Sequence, residues 1–290
     1  MKQSIGSVLV ACGVWAGLWT GAVAQTPLWV GDWYPEVDIQ VVADDNINRS
    51  FDGNGEKSDV VFKPVLRLEQ QYPMEGGMVG VLGGELAGAL HGRYNKLNHV
   101  APGVSAGVRK LMGEGTEAPV LSAGLRLKYE FHDQDARFGA EVNPRLAVEM
   151  PFGAALTGAV FYEYDNRFAS ENPIYDRDGH TLGFQVDLAV TEQVELVAGY
   201  QYRYGDVLVH QPRSDLGEEI RGKRLPLDTF KDRYDAVSFK DETTHRASVG
   251  MKYAVSLYTS VGLGLAYEEI KAEGDKYPSM QFILGFTHLL

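Results

Sequence analysis

Apolar and polar residues alternate with a period of two along most of the chain. The clearest run lies between Leu121 and His132. Its apolar positions are Leu121, Ala123, Leu125, Leu127, Tyr129 and Phe131, and its other positions are Ser122, Gly124, Arg126, Lys128, Glu130 and His132. Alternation over this length predicts a β-strand with one apolar face and one polar face. Such a strand fits a half-buried sheet or a membrane barrel, and only repetition along the chain separates the two.

The pattern recurs in twelve segments, beginning near residues 37, 62, 82, 104, 121, 140, 156, 182, 196, 249, 261 and 282. Each is close to the ~10 residues that a tilted membrane strand needs. After the first residues, no segment supplies the roughly 20 apolar residues of a spanning helix. Because only helices and closed barrels satisfy their backbone in lipid, the sequence predicts an all-β fold. We expect an antiparallel up-and-down transmembrane β-barrel of about 12 strands over residues 34–290.

Tight turns and longer polar connections define the two predicted ends of this barrel. The tight turns are Pro151–Gly153, Thr191–Gln193 and Val255–Ser256. The long connections include Asp45–Asp59, Asn166–Gly179, Glu269–Tyr277 and the very long Gly205–Thr243. Short turns on one side and long loops on the other are typical of outer-membrane barrels, with the short side periplasmic. An even strand number then puts both termini in the periplasm.

Aromatic rings and two prolines refine this prediction. Tyr162, Tyr202, Tyr204 and others gather at the loop-side strand ends, and Tyr34, Phe152 and Tyr253 lie near the turn side. Rings at both ends are expected at the two bilayer interfaces, although tyrosine also favours strands in general. Pro64 and Pro144 fall inside predicted strands, where proline removes a ladder hydrogen bond, so we expect bulges or shortened pairing there.

The N-terminal residues resemble an export signal. Lys2 precedes an apolar stretch from Ile5 to Leu18, and Ala22-Val23-Ala24 offers a signal-peptidase site. We therefore predict a signal peptide over 1–24, a short periplasmic segment over 25–33, and location in the outer membrane of a Gram-negative bacterium. Leu9-Val10-Ala11-Cys12 also matches a lipoprotein box, but the apolar run continues past Cys12.

Composition excludes several classes of function. Cys12 is the only cysteine, so the mature chain has neither a disulfide framework nor a cysteine metal site. The formal net charge is −12, so a basic nucleic-acid footprint is absent. We expect no cofactor and no metal. The expected partners are outer-membrane lipid and lipopolysaccharide, the barrel-assembly machinery during biogenesis, and small solutes, with the chain acting as a monomer.

The chain resembles the uncharacterised outer-membrane β-barrel proteins of proteobacteria. The resemblance is carried by Asp44-Asp45-Asn46-Ile47-Asn48 through Ser58-Asp59, by Tyr234-Asp235-Ala236 through His245, and by the tight hairpin and final strand that follow. The end, from Gly285 to Leu290, is similar to a terminal barrel-assembly signal, although Leu290 stands where an aromatic residue is usual. The resemblance implies the barrel fold and carries over no functional residues.

Charged residues on the polar strand faces are the candidate lumen and selectivity residues. Those predicted to converge near the outer mouth are Glu130, His132, Glu141, Glu163 and Asp165, and the basic candidates are Arg126, Lys128, Arg145 and Arg203. An acidic mouth above a basic section would select permeating ions by sign. Alternatively, cross-strand ion pairs, such as Arg145 with a neighbouring glutamate, neutralise the interior. Inward glycines leave the same choice between an open passage and close packing.

The Gly205–Thr243 connection is the candidate gate. Loops of this length are usually functional or disordered. It could fold inward as a constriction, bind lipopolysaccharide phosphates through Arg221, Lys223 and Arg224, or be a solvated surface loop.

The expected function is a passive channel for small solutes with a charged lumen. The alternatives are an adhesin or structural outer-membrane protein with a closed lumen, or an outer-membrane lipid hydrolase. His245 and Ser248 are three residues apart, which puts them on opposite strand faces. We therefore expect no enzyme activity and no catalytic residues.

Overall fold

The computed structural model describes residues 33–50, 56–113, 117–134, 137–212, 223–226, 230 and 234–290. The predicted signal peptide, Cys12 and most of the predicted 25–33 segment lie outside these residues. Within the described part, no helix is long and apolar enough to cross a membrane. The strands in chain order are β1 (Trp33–Asp44), β2 (Asp59–Met74), β3 (Met78–His91), β4 (His99–Leu111), β5 (Val120–His132), β6 (Gly139–Pro151), β7 (Leu156–Ala169), β8 (Arg177–Ala189), β9 (Val194–Pro212), β10 (Lys223–Pro226), β11 (Tyr234–Ala254), β12 (Thr259–Ala272) and β13 (Asp275–Leu289).

Twelve of these strands close into an antiparallel barrel, which confirms the predicted fold class. Each long strand pairs with its neighbours in sequence, and β1 pairs with β13 to close the barrel. β9 pairs directly with β11, and β10 lies between them only in the chain order. β10 pairs with β11 alone and is not part of the wall. Since every wall strand has a partner on both sides, the barrel has no free sheet edge.

The apolar face of each strand points outward. On β5 the exposed side chains include Leu121, Leu125, Leu127 and Phe131, while Arg126 and Lys128 point into the lumen. The same arrangement on the other strands covers the outer surface with leucine, valine and aromatic side chains. A soluble barrel would place these residues inside, so the alternation is inverted as in membrane barrels.

Proline shortens pairing without changing register. Pro64 is opposite Ile39 of β1, but on its other side the β2–β3 pairs stop at Phe62–Leu90 and resume at Val65–Ala87. Pro144 interrupts the β6–β7 ladder in the same way. The expected shortened pairing is therefore present at both positions.

Two predicted loops at the loop end of the barrel are wrong. Glu269–Tyr277 is not a long loop, because β12 and β13 continue to a two-residue turn at Glu273-Gly274. Both turn residues have positive φ, 53° and 90°, as a type I′ hairpin turn requires. Gly205–Thr243 is shorter than predicted as well, because β9 continues to Pro212 and β11 begins at Tyr234.

The added part of β9 and β11 forms a hairpin beyond the wall, which we call the hairpin extension (206–212 and 234–242). β9 pairs with β8 only as far as Gly205, and β11 pairs with β12 only from Thr243. Val207, Val209 and Val237 of the extension are buried against the tips of β12 and β13. The alternation of Val207 and Val209 could have predicted this strand, but the polar residues around them led to the prediction of a loop.

Candidate functional site

The loop-end half of the lumen contains a dense charge network. Lys128 Nζ lies 2.9 Å from Glu141 Oε2 and 3.4 Å from Glu130 Oε1. Arg167 Nε donates to Glu130 Oε2 at 2.9 Å, and His132 Nε2 is 3.3 Å from the same oxygen. Four of the predicted lumen residues are therefore brought together, joined by Arg167, which the sequence analysis did not single out. The carboxylates here are paired with cations and do not form a free acidic ring.

Four of the five other predicted lumen residues form two separate pairs. Arg145 Nη1 is 3.3 Å from Glu163 Oε2, and Arg203 Nη2 is 2.8 Å from Asp165 Oδ2. The Arg145 guanidinium also lies 4.0 Å from the ring centroid of Phe161, which fills part of the lumen. These contacts correspond to the cross-strand pairing that the sequence left as an alternative to an acidic mouth.

A cavity of about 110 Å³ occupies the turn-end half of the lumen beside β1 to β5. Its charged lining residues are Arg67, Arg109, Arg126, Glu36, Glu69 and Glu85. Gly83, Ser105, Gly107 and Ser122 contribute little side-chain bulk to the same wall. Arg126 was a sequence candidate, and Arg67 and Arg109 were likewise expected on polar strand faces below the mouth, whereas the three glutamates were not singled out. Tyr34 also lines the cavity. Its ring therefore faces the lumen, and the prediction that it lies at the bilayer interface is wrong.

The described residues of the first connection, 45–50 and 56–58, fold down onto the loop end of the lumen, and we call them the first loop. Asn46 Nδ2 donates to the Ser50 and Pro278 carbonyls at 3.0 and 2.6 Å. Asn48 is fully buried; its Oδ1 accepts from Lys57 N at 2.8 Å and its Nδ2 donates to the His210 carbonyl at 3.3 Å. Both asparagine side chains are therefore hydrogen-bonded, which favours their burial at the barrel mouth.

Arg49 attaches the same loop to the barrel wall. Its guanidinium lies 3.0 Å from Asp44 Oδ2 and 2.8 Å from Glu268 Oε1. Burial disfavours the charged form, but the carboxylates of Glu268 and Asp44 outweigh that effect and raise the pKa of Arg49. The asparagines and Arg49 belong to the segment that carried the family resemblance, but no sequence pattern predicted that they dock onto the barrel.

The hairpin extension meets the first loop and two others over the mouth. His210 N donates to the Asn48 carbonyl at 2.8 Å, and Arg137 Nη2 donates to His210 Nε2 at 2.8 Å. Ile174 and Tyr175, from the β7–β8 connection, are buried against Ala236. We call the first loop, the hairpin extension, Arg137 and residues 170–176 the lid. Burial, reinforced by the Arg137 charge, holds the pKa of His210 well below its ordinary value.

The lipopolysaccharide candidates lie beside this lid. Lys223 and Arg224 are on β10, which pairs with Ser238 and Val237 of β11. Arg221 lies outside the described residues.

His245 and Ser248, the pair considered for a lipid hydrolase, lie on opposite faces of β11. His245 faces outward, where Tyr200 Oη lies 2.7 Å from its Nδ1, whereas Ser248 is buried on the inner face.

Comparison with known proteins adds a likeness of fold. No family model and no curated protein matches the chain. An outer membrane channel from Pseudomonas putida F1 matches with a TM-score of 0.58 and 11% identity, over 91% of this chain and 97% of that chain. The NanC porin matches with a TM-score of 0.46 and 9% identity, over 88% and 100% of the two chains. The first likeness supports the barrel fold, and at this identity it does not extend to function.

Proposed function

We propose that the protein is an outer-membrane channel for passive diffusion of small solutes, with both termini in the periplasm. The observation that carries this proposal is the lumen, which is lined by charged side chains and retains a cavity of about 110 Å³. An interior that served stability alone would be closely packed and would leave little empty space. The P. putida protein of similar fold is described as an outer membrane channel, which agrees with this proposal.

The lid would control access from the outside. It covers the loop end, and Arg49 links it to Asp44 and Glu268 of the wall. The lid is held by these polar contacts and by the apolar cluster of Val209 and Val237 with Ile270, and its displacement need not disturb the barrel ladder. This assigns gating to the first loop together with the hairpin extension, whereas the sequence suggested the Gly205–Thr243 segment alone.

The test is single-channel recording of the refolded mature protein in a planar lipid bilayer, for the natural sequence and for Arg49→Gln. We expect discrete current steps, and a several-fold higher open fraction in the variant because an ion-paired attachment is lost. Lys110→Gln is the control for loss of a positive charge, since Lys110 is exposed on β4 at the opposite, turn end of the barrel. Folded protein that stays silent in all three forms would contradict the channel.

The second candidate is an adhesin or structural protein with a permanently closed lumen. The burial of Asn48, Val209 and Val237 in the lid favours it. Under this alternative, weakening the lid would produce no conductance at all. Export by the predicted signal peptide, assembly by the barrel machinery and contact with lipopolysaccharide near Lys223 and Arg224 are parts of both proposals.

A further inference from the structure

The turn-end cavity combines three guanidinium groups with three carboxylates. Arg67, Arg109 and Arg126 line it together with Glu36, Glu69 and Glu85, so the formal charge of the lining is zero. A free anion in this space would pair with a guanidinium and leave a lining carboxylate without its cation, and a free cation would likewise leave a guanidinium without its carboxylate. Unbalanced charge in a confined site is costly, because desolvation is not offset.

Two of the ion pairs in the cavity are long. Arg109 Nη2 lies 3.8 Å from Glu69 Oε1, and Arg126 Nη1 lies 3.9 Å from Glu85 Oε1. Charge-assisted hydrogen bonds normally measure about 2.7–2.9 Å. These pairs are therefore close enough to balance one another but do not close onto each other.

Arg67 has hydrogen-bonding capacity to spare. Its Nη1 donates to Glu36 Oε1 at 2.6 Å, while its Nη2 is buried with no hydrogen-bond partner among the described residues. A buried donor of this kind carries a free-energy cost, which an acceptor in the cavity would remove once the guanidinium turned to face it. A carboxylate is the acceptor that best matches a guanidinium.

We infer that this cavity is a subsite for a small zwitterion, such as a free amino acid with a minimal side chain. Its carboxylate would be bound by Arg67 and Arg126, and its ammonium group by Glu85. Such a ligand preserves the neutrality of the lining while satisfying the buried donor. The size agrees, since a cavity of about 150 Å³ holds benzene and the present one is smaller, sufficient for about five heavy atoms. The inference rests on the proposed function, because it names the class of solute that permeates.

The test is an NMR titration of the refolded mature protein in detergent with isotopically labelled free glycine, acetate or methylammonium. We expect saturable broadening with glycine and at least about tenfold weaker binding of the two half-molecules, since each engages one charge only. Acetate binding as tightly as glycine would overturn the zwitterion assignment, and so would an absence of glycine binding.

Matched variants locate the ligand. Arg67→Gln and Glu85→Gln should each weaken glycine binding about tenfold or more. Arg145→Gln and Glu163→Gln are the controls: Arg145 also has a buried Nη2 with no hydrogen-bond partner in the described part of the chain, and neither residue lines the cavity. Equal losses in controls and test variants would overturn the assignment.

A third variant keeps every charge in place. Ser122→Leu fills the cavity and should abolish glycine binding, whereas unchanged binding would place the ligand elsewhere and overturn the inference. Glycine binding in detergent does not require conduction. A protein that conducts but does not bind glycine would therefore overturn this inference alone. Binding to a protein that is silent in bilayers would overturn the channel and leave the subsite standing.

Discussion

Gly183 on β8 illustrates how single residues fit the interior of this barrel. A Cβ at that position would overlap the ring of Phe161 on β7, and the other side of this ring meets the Arg145 guanidinium. The sequence left open whether inward glycines widen the lumen or permit close packing. Gly183 permits close packing, because the Phe161 side chain occupies the space beside it.

Gly183→Ala should therefore lower the free energy of unfolding by about 1–3 kcal/mol, the usual cost of overpacking. Phe161→Leu in the same chain should recover most of that loss by making room for the methyl group. Denaturant unfolding in lipid vesicles, followed by intrinsic fluorescence, measures both. A double variant no more stable than Gly183→Ala alone would show that Phe161 is not the source of the conflict.

His210 makes the lid sensitive to pH. It lies in the hairpin extension beyond the membrane wall, and its Nε2 accepts from Arg137, so it must be neutral in the docked lid. Its pKa is lowered from 6.5 by burial and by Arg137. A depressed pKa means that the stabilising contribution is complete above 6.5 and is lost as pH falls below it, because protonation then favours the undocked lid.

We expect the open fraction in bilayer recordings to rise as pH is lowered from 7.5 toward 5. His210→Gln should reduce this dependence, since glutamine does not titrate. His180→Gln is the control, because His180 lies on β8, where its Nδ1 is 2.7 Å from Tyr162 Oη, away from the lid. An unchanged pH response in His210→Gln would assign the effect to another group.

At the scale of elements, the hairpin extension is a unit that packs separately from the wall. Its inner contacts are apolar: Val209 and Val237 are fully buried, in a cluster with Ile270, Ala272 and Tyr277. The barrel ladder ends below it at Gly205 and Thr243. Undocking of the extension therefore breaks side-chain contacts without removing any wall pairing.

Val237→Asp should undock the lid, because burying an unpaired carboxylate costs several kcal/mol. We expect faster proteolytic cleavage between residues 207 and 239 and a larger open fraction, with the barrel itself intact. Val255→Asp is the control, since Val255 is 57% exposed in a tight turn at the opposite end. A variant that loses the folded barrel would contradict the independence of the extension.

At the scale of the whole molecule, stability comes from closure. Every wall strand is hydrogen-bonded on both sides, so no strand can detach without breaking two ladders. The exposed leucine, valine and aromatic side chains are compatible with lipid and incompatible with water over so large a surface.

The folded protein should consequently resist SDS at room temperature and unfold only on boiling. Electrophoresis of boiled and unboiled samples tests this, with a faster-migrating band expected for the unboiled, compact barrel. Identical mobilities would count against a closed barrel in detergent.

The sequence by itself determined the strand number, the antiparallel order and the outward direction of the apolar face. These follow from the period-two alternation within each segment, as in 121–132, which is a local property. The ends of elements were less well determined. Polar residues around Val207, Val209 and Glu273-Gly274 were interpreted as loops, although strand pairing continues through them.

Only the tertiary structure decided which charges meet and where space remains. Arg145 is paired with Glu163 because adjacent strands set that register, but Arg49 reaches Glu268 from 219 residues away. The lid and the cavity depend on such distant contacts, since closing the barrel brings together strands that are far apart in the chain. A local pattern fixes which face a side chain occupies; the partner on that face is fixed by closure of the whole barrel.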